Sequence, residues 1–280
     1  MSLMIAVDGG GSGCRVLVAD ATGQILARAT GGPANIATDP EGALRAILAC
    51  SETAVRSACG SAALSELRHA YAGLGLAGAN AKGASERLAA ALPFARCRIE
   101  TDAITAARGA LGEADGILAA IGTGSVFVRQ RAGQLQQFGG WGIVLGDEGS
   151  GARLGQAILI QAMRAAESFR PMTPYLASVL QRHDGPEGVI AFSLTARPAD
   201  LAKFAPEILA SSDPAAAEVW SESVSNIAEI LRALGCGAEL PASFNGGLGA
   251  AYSRALSDLP QRPALGSSLD GALLLARGLA

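Results

Sequence analysis

Basic residues are in no excess. The chain has 22 Lys and Arg against 25 Asp and Glu, a net charge of −3, so no basic surface for nucleic acid is implied. An anionic ligand would have to be held by local backbone groups and a metal. Five cysteines (Cys14, Cys50, Cys59, Cys97, Cys236) are scattered with no CxxC or Cys/His spacing, so neither a zinc site nor a disulfide framework is supported. The two histidines, His69 and His183, lie in no motif and are not candidates for catalysis. No apolar run reaches the roughly 18 residues of a membrane span, and the N-terminus lacks the basic region of a signal peptide. No GxxxxGK[ST] stretch is present, which excludes a P-loop. A reduced, cytoplasmic, soluble protein is expected.

What the chain has in quantity is small apolar residues. Half of its 280 residues are apolar, only 4% are aromatic, and 36 are glycine. That length allows one large domain or two of ordinary size, and small residues suit close packing of helices on sheets. Leu3–Val7, Arg15–Ala19 and Ile25–Ala29 read as three short strands, with Thr22-Gly23-Gln24 turning between the last two. Asp39-Pro40-Glu41 starts a helix that continues to about Cys59. Ala70–Leu76 and Cys97–Glu100 are further strands, so the fold class is α/β.

The second half echoes the first. "LMIAVDGGGSGCRVLVADATGQILA" (3–27) lies on "GILAAIGTGSVFVRQRAGQLQQ" (116–137): strand, Gly/Ser/Thr loop, strand, Gly-Gln turn, strand. A duplication predicts two similar halves whose loops face a shared cleft, a common place for ligands. Glycine lets backbone N–H groups approach a ligand, and consecutive N–H groups cradle phosphate oxygens. The loops Gly9–Gly13 and Gly122–Ser125 are therefore candidates to hold a nucleotide's phosphates. Asp8 repels phosphate but serves it through Mg²⁺, directly or by the metal's waters. The other reading is that both loops are merely tight hairpins.

Six motifs then occur in order: "DGGGSGCR" (8–15), "GLAGA" (75–79), "TDA" (101–103), "GTGS" (122–125), "GDEGSGARLG" (146–155) and "NGGLG" (245–249). In that order they resemble the BadF/BadG/BcrA/BcrD ATPase family of the sugar kinase/actin/Hsp70 superfamily, and most of all its N-acetylglucosamine kinases and bacterial glucosamine kinases. The resemblance covers essentially the whole chain. It implies an actin-like ATPase fold of two ribonuclease H-like domains with a central ATP cleft. The N-terminal domain is expected at 1–112 plus the C-terminal helix 267–280, and the second domain at 113–266.

The resemblance also implies roles. Asp8, Gly9, Gly10, Gly11 and Ser12 match the first phosphate loop, with Asp8 toward Mg²⁺. Gly122, Thr123, Gly124 and Ser125 match the second loop. Gly246 and Gly247, after a strand at Ala242–Phe244, match the glycine pair against the adenosine of ATP. Asp102 matches the catalytic aspartate that takes the proton from the sugar hydroxyl; as a residue it equally suits the N-cap of a helix Ala103–Leu111. Asn35 in "GGPANI", Trp141 and Gly142 in "GGWG", and Asp147 match sugar contacts, and Asp102 touches the sugar too. Taken singly, Asn35 also reads as a turn residue, Trp141 as core and Asp147 as the cap of a helix starting near Ser150.

The implied activity is ATP-dependent phosphorylation of glucosamine or N-acetylglucosamine at the 6-hydroxyl, by a cytoplasmic homodimer with no nucleic-acid or membrane partner. "GPANI" and "LAGA" lean toward the glucosamine kinases and "GGWG" toward the N-acetylglucosamine kinases. The alternative within the family is an ATPase that activates a dehydratase or reductase through an iron–sulfur cluster held by paired cysteines. None of the five cysteines sits in such a motif. A sugar-sensing regulator is the remaining reading, but no helix-turn-helix segment precedes the first strand.

Overall fold

A computed structural model of the chain describes residues 3–60 and 63–280. Its contacts divide it into two compact units: Met1–Asp115, Gln130–Gln136 and Pro263–Ala280 in unit 1, Gly116–Arg129 and Gln137–Arg262 in unit 2.

Unit 1 is built on β1 (Met4–Gly9), a strand buried along its whole length. It pairs antiparallel with β2 (Cys14–Ala19), which pairs antiparallel with β3 (Ile25–Gly31). On its other side it runs parallel to β4 (Tyr71–Leu76), which is parallel to β5 (Arg96–Thr101). The sheet order is β3-β2-β1-β4-β5.

Successive side chains of a strand point to opposite faces, and both faces of β1 are covered, which is why it reads as an unbroken apolar run. Ile5 and Val7 join Val16 and Val18 in a core with α1 (Pro40–Cys59), whose Ala43, Ile47 and Ala54 face them. Met4 and Ala6 join Leu17 and Ala19 in a second core with α12 (Ser268–Arg277). The Asp39 side chain caps α1 by accepting the Gly42 N–H (2.9 Å), with Pro40 in the first turn.

Small residues let two helices press on β4. A Cβ at Gly73 would lie 2.0 Å from the Ala272 carbonyl of α12. One at Gly75 would lie 1.8 Å from Thr105 Oγ1 of α4 (Asp102–Leu111). The two helices meet each other at Gly109 and Gly271, where a Cβ would sit 1.8 Å from backbone oxygen of the opposite helix segment. The minor helices α2 (Ala63–Leu67) and α3 (Ala84–Ala91) complete the unit.

The second sheet repeats the plan: β6 (Gly116–Ile121), β7 (Ser125–Arg131), β8 (Gln134–Gly139) and β9 (Ala242–Asn245), in the order β8-β7-β6-β9. The leading three strands keep the lateral order of β1, β2 and β3, and β9 runs parallel to β6 as β4 does to β1. The internal echo in the sequence is thus a structural one. Here Ile117, Ile121 and Phe127 pack with Leu154 and Ile158 of α5 (Gly151–Ala166) and Ile227 and Leu231 of α10 (Pro214–Ala233). The helices α6 (Pro174–Arg182), α7 (Pro186–Thr195), α8 (Pro198–Leu201) and α9 (Ala205–Ala210) lie between α5 and α10 in the chain, and α11 (Gly249–Ala255) follows β9.

Candidate active site

Three parallel strands of unit 1 end in step. Asp8 and Gly9 of β1 align with Gly75 and Leu76 of β4, which align with Glu100 and Thr101 of β5. In open α/β sheets the carboxyl ends of such strands are where ligands bind.

Asp8 belongs to the strand rather than to the loop after it, because β1 stays paired on both sides through Gly9. The residue is only 8% exposed, and its carboxylate is ion-paired to the guanidinium of Arg15, its cross-strand partner on β2. The turn that follows is a tight hairpin closed by Gly10 N–H donating to the Gly13 carbonyl (2.9 Å). That hairpin does not explain its glycines. Gly10 and Gly11 have no left-handed φ, and a Cβ on either would meet nothing within 4 Å. Open space above an uncrowded glycine is room for a ligand to reach the backbone.

Asp102 is the first residue of α4. The cap is its neighbour: the Thr101 hydroxyl accepts the Ile104 N–H (3.3 Å), so the capping role open to Asp102 in the sequence falls to Thr101. The Asp102 carboxylate accepts the Ala103 N–H (2.9 Å), and no cation pairs with it among the described residues. Burial raises its pKa above the ordinary carboxylate value, the Ala103 hydrogen bond opposes this, and the charge of Asp8 raises it further. The residue is nonetheless exposed, so a carboxylate without a counter-ion and with a raised pKa is open to a hydroxyl whose proton it can accept.

Asn35 does act as a turn residue. Its carbonyl oxygen accepts the N–H groups of Ala37 (3.0 Å) and Thr38 (3.2 Å), and its amide nitrogen has no partner among the described residues. The backbone ties this loop to its neighbours: Ala34 N–H donates to Gly10 O (2.9 Å) and Ile36 N–H to Ala77 O (3.0 Å). Gly78, at φ +83°, leaves the space that Asn35 and Ala37 fill. The loop Gly9–Gly13, "GPAN", "GLAGA" and "TDA" therefore converge in unit 1.

A parallel convergence occurs in unit 2. The Gly122 and Thr123 carbonyls accept the N–H groups of Gly151 (2.8 Å) and Ala152 (3.1 Å) at the start of α5. Ser125 N–H donates to Asp147 Oδ1 (3.2 Å) and Ser125 Oγ to the Glu148 carbonyl (2.7 Å). Leu248 N–H donates to Ile121 O (3.0 Å), and Gly246 at φ +86° passes so close that a Cβ would lie 2.4 Å from that oxygen. Gly247 is exposed, with nothing near a built Cβ. The second loop, "GDEGSG" and "NGGLG" thus meet.

Two alternatives read from the sequence are corrected here. Trp141 is not core: it is 66% exposed. Asp147 is not the helix cap: Ser150 accepts the Arg153 N–H (3.1 Å) and caps α5, while Asp147, at φ +61° and 6% exposed, turns to the second loop. Gly142 lies beside Trp141 at φ +77°.

Arg15, which by sequence suits a support of the first loop and a surface residue equally, holds Asp8. Two further contributors were not singled out in the sequence. Tyr252, fully buried on α11, donates to the Gly149 carbonyl (2.7 Å) and bonds Ser223 Oγ, bracing the "GDEGSG" turn. Glu148 stands beside Trp141. The motif itself marked Glu148; nothing local marked Tyr252, which acts from a distance of 103 residues along the chain.

A model of the BadF/BadG/BcrA/BcrD ATPase family matches residues 5–256. The chain belongs to that family. Its relatives include the glucosamine kinase GspK of Vibrio cholerae, 34% identical over 241 residues, which are 84% of this chain and 81% of that protein. Among solved structures, a Chromobacterium violaceum protein named provisionally as an N-acetylglucosamine kinase superposes with a TM-score of 0.88 at 32% identity, covering 99% of both chains. A ROK-family glucokinase from Streptomyces griseus, at 19% identity and a TM-score of 0.54 over 100% of this chain and 99% of its own, shares the fold. The BadF/BadG/BcrA/BcrD member described here therefore has the actin-like ATPase fold of the sugar kinases.

Proposed function

We propose that the chain is an ATP-dependent amino-sugar kinase that phosphorylates glucosamine or N-acetylglucosamine at the 6-hydroxyl. The observation that carries this reading is Asp102: an exposed carboxylate with no cation partner among the described residues, relieved of capping by Thr101, at the strand-end edge that also holds Asp8. In the transfer the sugar oxygen bonds to the γ-phosphorus, the bond from that phosphorus to the β,γ-bridging oxygen breaks, and the hydroxyl proton passes to Asp102. The N–H groups of Gly11, Ser12, Thr123 and Gly124 face phosphate oxygens, while those of Gly10, Gly122 and Ser125 are taken up in closing the two loops, and Gly246 and Gly247 lie against the adenosine. Asn35 offers its amide nitrogen, Trp141 its indole face, and Gly142 and Asp147 complete the sugar contacts.

Asp8 fits Mg²⁺. It is a nearly buried carboxylate beside an open glycine loop, and Mg²⁺ is usually held by one or two carboxylates together with substrate phosphates. Bound there with ATP, the metal would supply charge neutralisation on the phosphates.

The partner-activating ATPase reading gains nothing from the cysteines. Cys14 and Cys50 are buried, and Cys59 is the one exposed thiol of the five. Among the described residues no helix is long and apolar enough to cross a membrane. The test is ADP release from Mg²⁺-ATP across a panel of hexoses, with Asp102→Asn alongside. Release that requires an amino sugar and collapses in the variant is the expected result. Sugar-independent hydrolysis, or none with any hexose, refutes the proposal.

A further inference from the structure

Two thiols buried behind the first glycine loop take no part in the transfer. Cys14 opens β2 and pairs with Gly9 across the base of that loop. On its other side it pairs with Gly31, at the end of β3. Side chains of such a cross-strand pair stand about 4.5–5.5 Å apart on one face. Gly31 has no side chain to offer, and Cys50 of α1 takes its place. A Cβ on Gly31 would lie 3.3 Å from Cys50 Cβ and 3.6 Å from its Sγ. Cys14 and Cys50 are thus neighbours in one core, and their thiols are hydrogen-bonded to each other.

The pair is chemically uneven. The Cys14 thiol donates to Cys50 and, with the Val16 N–H, lowers the Cys50 pKa below the ordinary thiol value against the effect of burial. The same bond, together with burial, raises that of Cys14. Cys97 and Cys236, by contrast, are pushed up by burial. The thiolate is the reactive form of a cysteine, which makes Cys50 the nucleophile and Cys14 its resolving partner. Both sulfurs are buried, but Gly31 beside them is exposed. It belongs to β3, the outermost strand of its sheet, which has no buried residue. A strand with few buried contacts opens locally at low cost, enough to admit a molecule as small as a peroxide.

We propose that Cys14 and Cys50 are a peroxide-sensitive dithiol whose oxidation to a disulfide weakens ATP binding at the first glycine loop. The Cys50 thiolate attacks one oxygen of hydrogen peroxide, the O–O bond breaks, and hydroxide leaves with the proton that Cys50 gave up, as water. The Cys14 sulfur then attacks the sulfenic sulfur of Cys50. The S–S bond forms, the S–O bond breaks, and the departing hydroxide takes the Cys14 proton. Two thiols and one peroxide thus give one disulfide and two waters. A disulfide holds its sulfurs about 2.05 Å apart, well inside hydrogen-bonding distance, so closure draws α1 and the start of β2 together. Cys14 takes the base of the loop with it through Gly9, and Gly10 is bound on to "GPAN" through the Ala34 N–H. The sulfur chemistry is independent of the kinase reading; its effect on ATP rests on the ATP site of that reading.

The test is to treat the whole protein with hydrogen peroxide, map its tryptic peptides by mass, and measure Mg²⁺-ATP binding by calorimetry before and after. Peptides 1–15 and 46–56 should appear linked, two hydrogens lighter than their sum, and dithiothreitol should separate them. The Kd for Mg²⁺-ATP should rise roughly tenfold to a hundredfold, the range for one lost hydrogen bond to a charged group, and return on reduction. Cys50→Ala should bind ATP as the untreated wild type does and ignore peroxide. Cys14→Ala should stop at the sulfenic acid, which dimedone traps on peptide 46–56. Absence of the link, a link that leaves the Kd unchanged, or no binding of Mg²⁺-ATP at the outset overturns the inference. Failure to phosphorylate any hexose would defeat the kinase reading and leave both of these measurements standing.

Discussion

Replacing Gly75 by Ala should damage catalysis through a contact that touches no ligand. Gly75 lies on β4 in register with Asp8, and the Cβ added there would be 1.8 Å from Thr105 Oγ1, 2.7 Å from Thr105 Cβ and 2.8 Å from Thr105 Cγ2. Ordinary contact begins near 3.4 Å, so Thr105 must retreat by more than 1 Å or rotate. Rotation is restricted, because a β-branched side chain in a helix has few χ1 wells and the Thr105 hydroxyl already donates to the Asp102 carbonyl (3.0 Å). Retreat is blocked behind, where α12 packs on α4 so tightly that a Cβ on Gly271 would lie 1.8 Å from the Thr105 carbonyl. Overpacking of this kind costs about 1–3 kcal/mol. The displaced helix carries Asp102 in its first turn, and a misplacement of about 1 Å costs on the order of 100-fold in rate. Gly75→Ala should therefore melt several degrees lower and lose about 100-fold in kcat, read by thermal unfolding and by ADP release with glucosamine. Thr105→Ala removes two of the three clashing atoms, so the double variant should recover part of both losses. A Gly75→Ala protein with wild-type kcat and Tm, or a double variant no better than the single one, would refute the reasoning.

Other perturbations follow from the same structure. Asp102→Asn should reduce transfer by about 10²- to 10⁴-fold, the usual contribution of a general base. It should also stabilise the protein near neutral pH. Burial and Asp8 raise the folded-state pKa of Asp102, so its charged form costs stability above the ordinary carboxylate pKa, and the melting advantage of the variant should shrink as pH falls toward 3.8. For the wild type, the acid limb of kcat/KM should lie above the ordinary aspartate range. Tyr252→Phe leaves the buried Gly149 carbonyl and Ser223 hydroxyl short of a partner and should cost about 1–3 kcal/mol, seen in urea unfolding. Ser267→Ala removes the cap of α12 and its capping box with Asp270; about 1 kcal/mol should be lost, with faster amide exchange in that helix.

Much of this fold was legible in residues alone. The strands of each meander were bounded by glycine turns, and the same order of strands and turns recurred. Strand ends were less legible, because pairing set them: β1 extends through Asp8 and Gly9 since both have partners on two sides. The site residues were marked by motif, but their duties were not. "TDA" contains two residues that cap helices well, and only the backbone shows that Thr101 caps while Asp102 does not. A Trp among glycines is as compatible with a core as with the 66% exposure it has. Gly73, Gly75, Gly109 and Gly271 read as loose composition; their meaning is a close approach between elements distant in sequence.

The convergence of motifs gives weak signals their combined weight. Each stretch is short, and glycine, serine and aspartate are ordinary turn residues. In the structure each is hydrogen-bonded to another: Ala34 to Gly10, Ile36 to Ala77, Ser125 to Asp147, Gly151 to Gly122, Leu248 to Ile121. A change in one loop therefore bears on the position of the next, which a set of independent turns would not require. The Asp147–Glu148 pair carries this further. Asp147 is bound into that network through Ser125, whereas Glu148 enters it only by its backbone carbonyl and leaves its carboxylate outside. Neutralising Asp147 should thus loosen the second glycine loop and weaken every substrate and ATP together. Neutralising Glu148 should leave the KM for ATP near the wild-type value, because its carboxylate makes no hydrogen bond to that loop. Parallel KM measurements for ATP on Asp147→Asn and Glu148→Gln separate the two, and an equal rise in both would show that the carboxylates share one duty.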